Sequence, residues 1–90
     1  MKTIYKYPIK IADHQVLNLP MGAEVLTVQT QQGKIFLWAK VDADQRETTE
    51  LNIYVCGTGH RVRDETLVYL GAIQQFNGDL IWHVFWSYKS

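Results

Sequence analysis

The sequence contains a single cysteine, Cys56, so no disulfide can form within the chain. It also lacks long apolar runs: a membrane-spanning helix requires about 20 consecutive apolar residues, and the apolar stretches here are only a few residues long. The start of the chain has no apolar segment of the length found in signal peptides. These absences predict a cytoplasmic protein with no membrane contact.

An excess of charge is also missing, because nine lysines and arginines balance nine aspartates and glutamates. Proteins that bind nucleic acid non-specifically usually carry a cationic excess, since neutralising phosphates supplies most of their affinity. The balance therefore argues against nucleic acid as a partner. A formal net charge of zero also provides little repulsion between copies, which favours a homo-oligomer.

Motifs for catalysis and cofactor binding are absent as well. Residues 57–60, Gly-Thr-Gly-His, lack the third glycine of a dinucleotide-binding loop and the Gly-Lys-Ser/Thr of a Walker loop. Their simplest interpretation is a sharp turn with positive φ angles at both glycines. Cys56 and the histidines show none of the paired spacings typical of zinc ligands. We therefore expect no cofactor, no metal and no enzymatic activity.

One enzymatic function remains as an alternative, and it depends on the three histidines. A metal-dependent hydrolase would have to use His14, His60 and His83, which are far apart in the sequence. His83 lies between Trp82 and Val84 in an apolar segment, so it is better explained as a packed or hydrogen-bonded strand residue. Cys56 is better explained as a small buried apolar residue.

The dominant feature that is present is an alternation of apolar and polar residues with the period of a β-strand. Ninety residues correspond to one domain, 1–90, and a hydrophobic content of 47% supports one core. Short turns separate the apolar segments, which predicts an all-β fold: a small antiparallel sandwich or barrel of about seven strands. The predicted strands are residues 3–11, 14–19, 24–30, 34–41, 51–56, 66–76 and 80–88.

The clearest turn signal is Asn77-Gly78, between the last two predicted strands. Asn-Gly readily takes two successive positive φ angles, as a type I′ turn requires, so the chain should end in a β-hairpin. Residues 42–50 are rich in charge and have no large apolar side chain, which predicts a solvated loop. Pro8 cannot donate a backbone hydrogen bond, which predicts that the first strand either lies at a sheet edge or is broken at this residue.

The fourth predicted strand is apolar on both faces. Its alternate residues are aliphatic, and Phe36 and Trp38 occupy the opposite face. Such a strand is usually central in its sheet, or is covered on the outside by another element or by a partner.

The same alternation assigns faces in two further strands. In the third strand, Leu26 and Val28 are predicted to share a face, with Val25 opposite. In the last strand, Trp82 and Trp86 are predicted to point into the core, because aromatic side chains dominate the core of so small a domain.

These features predict a non-enzymatic protein-binding module. The two-sided fourth strand and the aromatic last strand offer surfaces to a protein partner or a second copy, and an edge strand at residues 3–11 offers strand addition. The alternative is a small-ligand or nucleic-acid-binding accessory protein that uses residues 57–63 as an anion cradle. The candidate contact residues are Gly57, Thr58, Gly59, His60, Arg61, Arg63, Tyr5 and Tyr7.

Several segments are distinctive in combination: MKTIYKYPI at 1–9, MGAEVLTVQ at 21–29, GTGH at 57–60, and YLGA at 69–72 followed by WHVF at 82–85. They resemble a family of short, uncharacterised all-β proteins encoded by bacteriophages, prophages and their bacterial hosts. The resemblance spans nearly the whole chain and assigns no catalytic residue. It implies a bacterial cytoplasm and a phage accessory gene. By analogy with other small phage proteins, it implies inhibition of a host defence protein.

Overall fold

The computed structural model describes residues 1–62, 66–75 and 78–88. These residues form seven β-strands, all paired antiparallel. The strands are β1 (Lys2–Ile9), β2 (Gln15–Pro20), β3 (Glu24–Gln31), β4 (Lys34–Asp42), β5 (Thr48–Gly57), β6 (Val68–Gln75) and β7 (Leu80–Tyr88). The predicted all-β fold is confirmed, and its two sheets make it a sandwich rather than a closed barrel.

The strands are divided between two sheets. Sheet A has the strand order β1-β4-β3, and sheet B has the order β2-β5-β7-β6. One side of the sandwich is closed where β3 lies against β6. The approach there is close, because a Cβ atom added at Gly71 of β6 would lie 3.4 Å from Cγ1 of Val28 in β3.

The core fills the space between the inner faces of the two sheets. Alternate residues of β4 are buried, with Phe36 and Trp38 on the opposite, outer face, as predicted. Val84 is fully buried at the centre of β7, and Trp82 and Trp86 pack against the core, also as predicted. The buried residues of the core are Ile9, Leu19, Ala23, Val28, Ile35, Leu37, Ala39, Val41, Leu51, Ile53, Val55, Ile73 and Val84.

The faces predicted for β3 are wrong, because a β-bulge interrupts its two-residue period. The bulge lies between Val25 and Thr27 and adds one residue to β3 opposite β4. Val28 is buried and Val25 packs against the core, whereas Leu26 is 39% exposed. The bulge therefore places Val25 and Val28 in the core, rather than Leu26 and Val28.

Three strand ends differ from the predictions by two residues or more. β1 ends at Ile9 instead of residue 11, and β6 begins at Val68 instead of residue 66. Pro8 does lie in an edge strand, which is one of the two positions predicted for it. The solvated loop predicted at 42–50 is wrong at both ends, because β4 extends to Asp42, and β5 begins at Thr48 and pairs with the end of β2. The β-branched residues Thr48 and Thr49 favour this extended conformation.

Sheet A contains a two-residue hairpin turn between β3 and β4. Gln31 pairs with Lys34, and the two residues between them, Gln32 and Gly33, have φ angles of 54° and 79°. Two successive positive φ angles are the geometry of a type I′ turn. One of the short turns that the sequence predicts between apolar segments is therefore of this type.

β6 and β7 form the predicted C-terminal hairpin. Gln75 pairs with Leu80, so residues 76–79 connect the strands. Gly78 has a φ of 92°, the sign that a type I′ turn requires at its second position. Phe76 and Asn77 lie outside the described residues, so the rest of the turn assignment stays a prediction.

Candidate functional site

β5 ends in a tight turn formed by residues 57–60. The backbone N–H of His60 donates a hydrogen bond of 3.0 Å to the carbonyl oxygen of Gly57. Gly59 has a φ of 87°, as the sequence predicts, but Gly57 does not have a positive φ. At Gly57 the ring of His60 occupies the space of a side chain, because a Cβ atom there would lie 3.2 Å from Cε1 and Nδ1 of His60. The two glycines therefore differ: Gly59 is favoured by its positive φ, whereas Gly57 is in contact with the ring of His60.

Three polar side chains form a hydrogen-bonded chain beside this turn. His83 of β7 lies opposite Cys56 of β5 in the strand register. Its Nε2 atom is 2.9 Å from Oγ1 of Thr58, and its Nδ1 atom is 2.9 Å from the hydroxyl oxygen of Tyr69 in β6. Because a neutral imidazole has one donor and one acceptor nitrogen, one hydroxyl donates to the ring while the other accepts from it. His83 is thus a hydrogen-bonded strand residue, as expected.

Two adjoining cavities open on the outer face of sheet B next to this chain. Their volumes are about 430 Å³ and about 340 Å³. Cys56, Val62 and Phe85 border both cavities, so the two form one continuous depression, which we call the groove. Cys56 is half-buried at its floor rather than fully buried as predicted. The remaining side chains of interest in the groove are Tyr54, Thr58, Arg61, Tyr69 and His83.

Two residues of opposite charge border the groove. Arg61 and Asp13 both border the larger cavity, and both residues are exposed. Within residues 1–62, 66–75 and 78–88, Arg61 forms no ion pair. Thr58, His60 and Arg61 of the predicted contact set therefore gather at one site, with the two glycines shaping its turn. Arg63 lies outside the described residues.

The two predicted tyrosine contacts lie elsewhere. Tyr5 and Tyr7 are in β1 of sheet A, with ring centroids 6.4 Å apart, and neither borders the groove. Tyr7 is half-buried and packs against the core, and this burial, followed by the neighbouring Tyr5, raises the pKa of the Tyr7 hydroxyl. Tyr7 is therefore a packing residue, while Tyr5 is exposed at the sheet edge.

The histidines make separate contacts. Nε2 of His14 is 2.8 Å from Oδ1 of Asn52, and its ring stacks on Tyr54 at a centroid distance of 4.8 Å. His60 packs on Gly57, and His83 forms hydrogen bonds with the hydroxyl groups of Thr58 and Tyr69. Among the residues that the structure describes, no three His, Cys, Asp or Glu side chains are grouped to hold a metal ion.

A second candidate surface lies on the outer face of sheet A. Phe36 and Trp38 project from β4 on this face, and Nζ of Lys6 lies 4.6 Å from the centroid of the Phe36 ring and 5.7 Å from that of Trp38. The same Nζ donates a 3.0 Å hydrogen bond to Oε1 of Gln31. We call the surface around Lys6, Phe36 and Trp38 the platform. The sequence indicates it through the two-sided apolar pattern of β4, but does not single out these three residues as a site.

Positive charge is concentrated around the platform. The register of sheet A places β1 and β4 residues of even number on the outer face, and Glu24 of β3 lies opposite Lys40. Nζ of Lys40 is 3.9 Å from Oε1 of Glu24, so this lysine is partly neutralised. The outer-face charges on these strands are Lys2, Lys6, Lys34, Lys40, Glu24 and Asp42. Four lysines against two acids give a cationic face on a chain with no net charge.

The two sheets, the groove on one outer face and the platform on the other define a small antiparallel β-sandwich with two candidate surfaces. The chain belongs to the family described as a domain of unknown function (DUF7352), which matches residues 1–90. This confirms the resemblance to an uncharacterised family without an assigned activity. No curated protein and no solved structure shows a significant match to the chain.

Among residues 1–62, 66–75 and 78–88, none belongs to a helix that is long and apolar enough to span a bilayer.

Proposed function

We propose that this chain is a non-enzymatic protein-binding module that docks on its partner through the platform. The family resemblance supports a phage or prophage gene whose product acts in the bacterial cytoplasm. The partner that we propose is a bacterial host protein with an acidic docking surface, and the docking inhibits it, as expected if the partner belongs to host defence.

The observation that carries this proposal is the uncovered aromatic pair of β4. Within the described ranges, β1 and β3 flank β4 in the plane of sheet A, and sheet B lies on the inner side of β4, where its alternate residues are buried. No strand therefore packs over Phe36 and Trp38, although Lys6 and neighbouring side chains leave both rings only partly exposed. Aromatic side chains left on an outer sheet face are frequent anchors of protein interfaces.

The lysines define the chemistry of the partner. Lys6 is held above the rings by its cation–π contacts and by Gln31. A carboxylate of the partner that pairs with Lys6 would allow an apolar partner side chain to pack on Trp38 at the same time. Lys34 extends the positive field on the same face, which favours association with an acidic surface, whereas the charge of Lys2 is offset by Asp42, which lies opposite it.

The structure favours docking on this face over strand addition to the first strand. β1 is an edge strand, but Pro8 removes one backbone donor and two lysines lie along it. Proline and lysine are the usual means by which edge strands avoid pairing with other chains. The proposal therefore places the partner on the side chains of the platform.

Charge reversal at Lys6 tests the proposal. The tagged protein is used to capture partners from a bacterial lysate, and the stoichiometry of any complex is measured by size-exclusion chromatography with light scattering. Lys6→Glu should abolish a stoichiometric complex, because it repels an acidic partner at the centre of the platform. The matched control is Lys10→Glu, an exposed lysine beyond the end of β1, which should retain the complex.

Three results would contradict the proposal. One is a complex that survives Lys6→Glu, and another is recovery of no stoichiometric partner from hosts of the gene. The third is a purified protein that forms a stable dimer through the platform, disrupted by Lys6→Glu, because the partner would then be a second copy.

A further inference from the structure

We infer that the groove on sheet B is a binding site for a small planar heterocycle that carries an anionic group, the chemistry of a nucleotide. The groove and the platform lie on the outer faces of different sheets. The inference is therefore independent of the proposed protein-binding role, and either can fail without the other.

The walls of the groove suit a flat aromatic ligand. Tyr54 of β5 and Phe85 of β7 are directly paired neighbours on the outer face of sheet B, and Tyr69 of β6 packs on Phe85 with ring centroids 5.1 Å apart. Three aromatic side chains from three adjacent strands thus border one depression. Aromatic and apolar walls with a few convergent polar groups are typical of small-molecule sites, whose volumes run from about 300 to 1,000 Å³.

The hydrogen-bonded chain provides recognition at one end of the groove. Whichever nitrogen of His83 carries the proton, one of Thr58 and Tyr69 donates its hydroxyl hydrogen to the ring. The other hydroxyl accepts from the ring and keeps its hydrogen for a ligand. The three hydrogen-bonded side chains therefore present one donor and one acceptor to a ligand. A change of tautomer at His83 exchanges the two roles. The edges of nucleobases carry this same combination of adjacent donors and acceptors.

Arg61 and Asp13 provide recognition at the other end. The guanidinium of Arg61 offers a planar set of donors that matches a phosphate, and no described residue neutralises it in an ion pair. The carboxylate of Asp13 borders the same cavity and accepts hydrogen bonds, as from the hydroxyl groups of a sugar. Base, sugar and phosphate thus each meet a group of suitable chemistry.

Titration calorimetry and NMR with AMP, GMP, CMP and UMP test the inference, with adenosine, guanosine, cytidine and uridine and with inorganic phosphate as partial ligands. We expect at least one nucleotide to bind about tenfold more tightly than its own nucleoside or phosphate, because Arg61 adds a charge-assisted contact. Arg61→Gln should remove this advantage. Arg46→Gln changes an exposed arginine in the β4–β5 connection and should leave the affinity unchanged.

The second variant tests the hydrogen-bonded chain. Tyr69→Phe removes one hydroxyl of an exposed side chain and keeps its ring on Phe85, so the fold should persist. We expect differences in affinity among the four nucleotides to shrink, since the base edge loses a partner. The inference is overturned if no nucleotide gives saturable changes at groove residues, or if Arg61→Gln and Arg46→Gln bind equally well. It is also overturned if Tyr69→Phe leaves base preference unchanged.

Discussion

Gly59 sits in the turn of residues 57–60 with a φ of 87°, and a Cβ atom there would meet nothing within 4 Å. The cost of an alanine at this position is therefore one of backbone conformation alone. Gly59→Ala should lower the free energy of unfolding by about 1 kcal/mol, the usual penalty for a left-handed alanine. Urea unfolding monitored by tryptophan fluorescence measures this difference.

Gly57→Ala is the matched control in the same turn. Its added methyl meets the end of the His60 side chain, which is exposed and can swing away. We therefore expect a smaller loss of stability than for Gly59→Ala, together with a shift of the His60 ring resonances. A larger loss at Gly57 than at Gly59 would contradict the assignment of strain to Gly59.

Burial of two tyrosine hydroxyls links stability to alkaline pH. Burial raises the pKa of Tyr7, with a further contribution from Tyr5, and burial raises the pKa of Tyr88, whose hydroxyl donates to the carbonyl oxygen of Ala23. The folded protein therefore holds these protons at pH values where the unfolded chain has lost them. The resulting stability is fully present below about pH 10 and is lost as the pH rises through the raised pKa values.

Tyr7→Phe isolates the contribution of one of these hydroxyls. Since the ring still packs against the core, the variant should lose less stability between neutral and alkaline pH than the wild type. Thermal unfolding measured across this pH range provides the comparison. An equally steep alkaline decline in Tyr7→Phe and in the wild type would contradict the role assigned to Tyr7.

The local sequence predicts some of these residue environments and not others. A Gly-Thr-Gly-His segment after an apolar strand predicts a turn, and positive φ at Gly59 follows from it. The hydrogen bonds of His83 reach Thr58 and Tyr69, which are 25 and 14 residues away in the chain. Such contacts depend on how β5, β6 and β7 pair, and no spacing motif in the sequence predicts them.

At the scale of elements, the bulge in β3 has a direct energetic consequence. Val28 is 5% exposed and contacts the closed side of the sandwich near Gly71, whereas Leu26 is 39% exposed. Val28→Ala should lower the free energy of unfolding by about 2 kcal/mol, because it leaves a cavity in the core. Leu26→Ala should cost less than about 1 kcal/mol, although it removes a larger side chain.

Urea unfolding of the two variants, with circular dichroism as the signal, decides between the bulged and the regular strand. A regular two-residue alternation places Leu26 and Val28 on one face and predicts similar losses. Equal losses, or a greater loss for Leu26→Ala, would therefore contradict the bulge.

The positions of the strands follow from local patterns, because alternation and turn residues are local signals. All seven predicted strands overlap the observed ones, and the two faces of β4 are assigned correctly. The errors occur where pairing with another strand overrides the local signal. The threonines of β5 extend the strand because β2 is there to pair with them, and the bulge forms within the β3–β4 pairing.

At the scale of the whole molecule, the strand order could not be read from the sequence. β4 lies between β1 and β3, and β5 lies between β2 and β7, so the chain crosses between the sheets repeatedly. Apart from the β3–β4 hairpin, these pairings join segments that are distant in the chain, and alternation indicates only which residues of a strand share a face. The groove and the platform depend on this order, since each combines residues from different strands.

The platform and the groove lie on opposite outer faces of the sandwich. The platform belongs to sheet A, and the groove belongs to sheet B, with the core between them. A protein docked on the platform leaves the groove open to a small ligand. The two proposed sites should therefore be occupied together in a single complex, and neither test interferes with the other.

Cross-saturation NMR on the complex with the captured partner shows directly which face carries the docked protein. In this measurement, irradiation of the partner reduces the signals of side chains at the interface. Docking on the platform should reduce the signals of Ile4, Phe36 and Trp38 on the outer face of sheet A and leave Tyr69 and Phe85 in the groove unaffected. Reduced signals at Tyr69 and Phe85, with Phe36 and Trp38 unchanged, would contradict it.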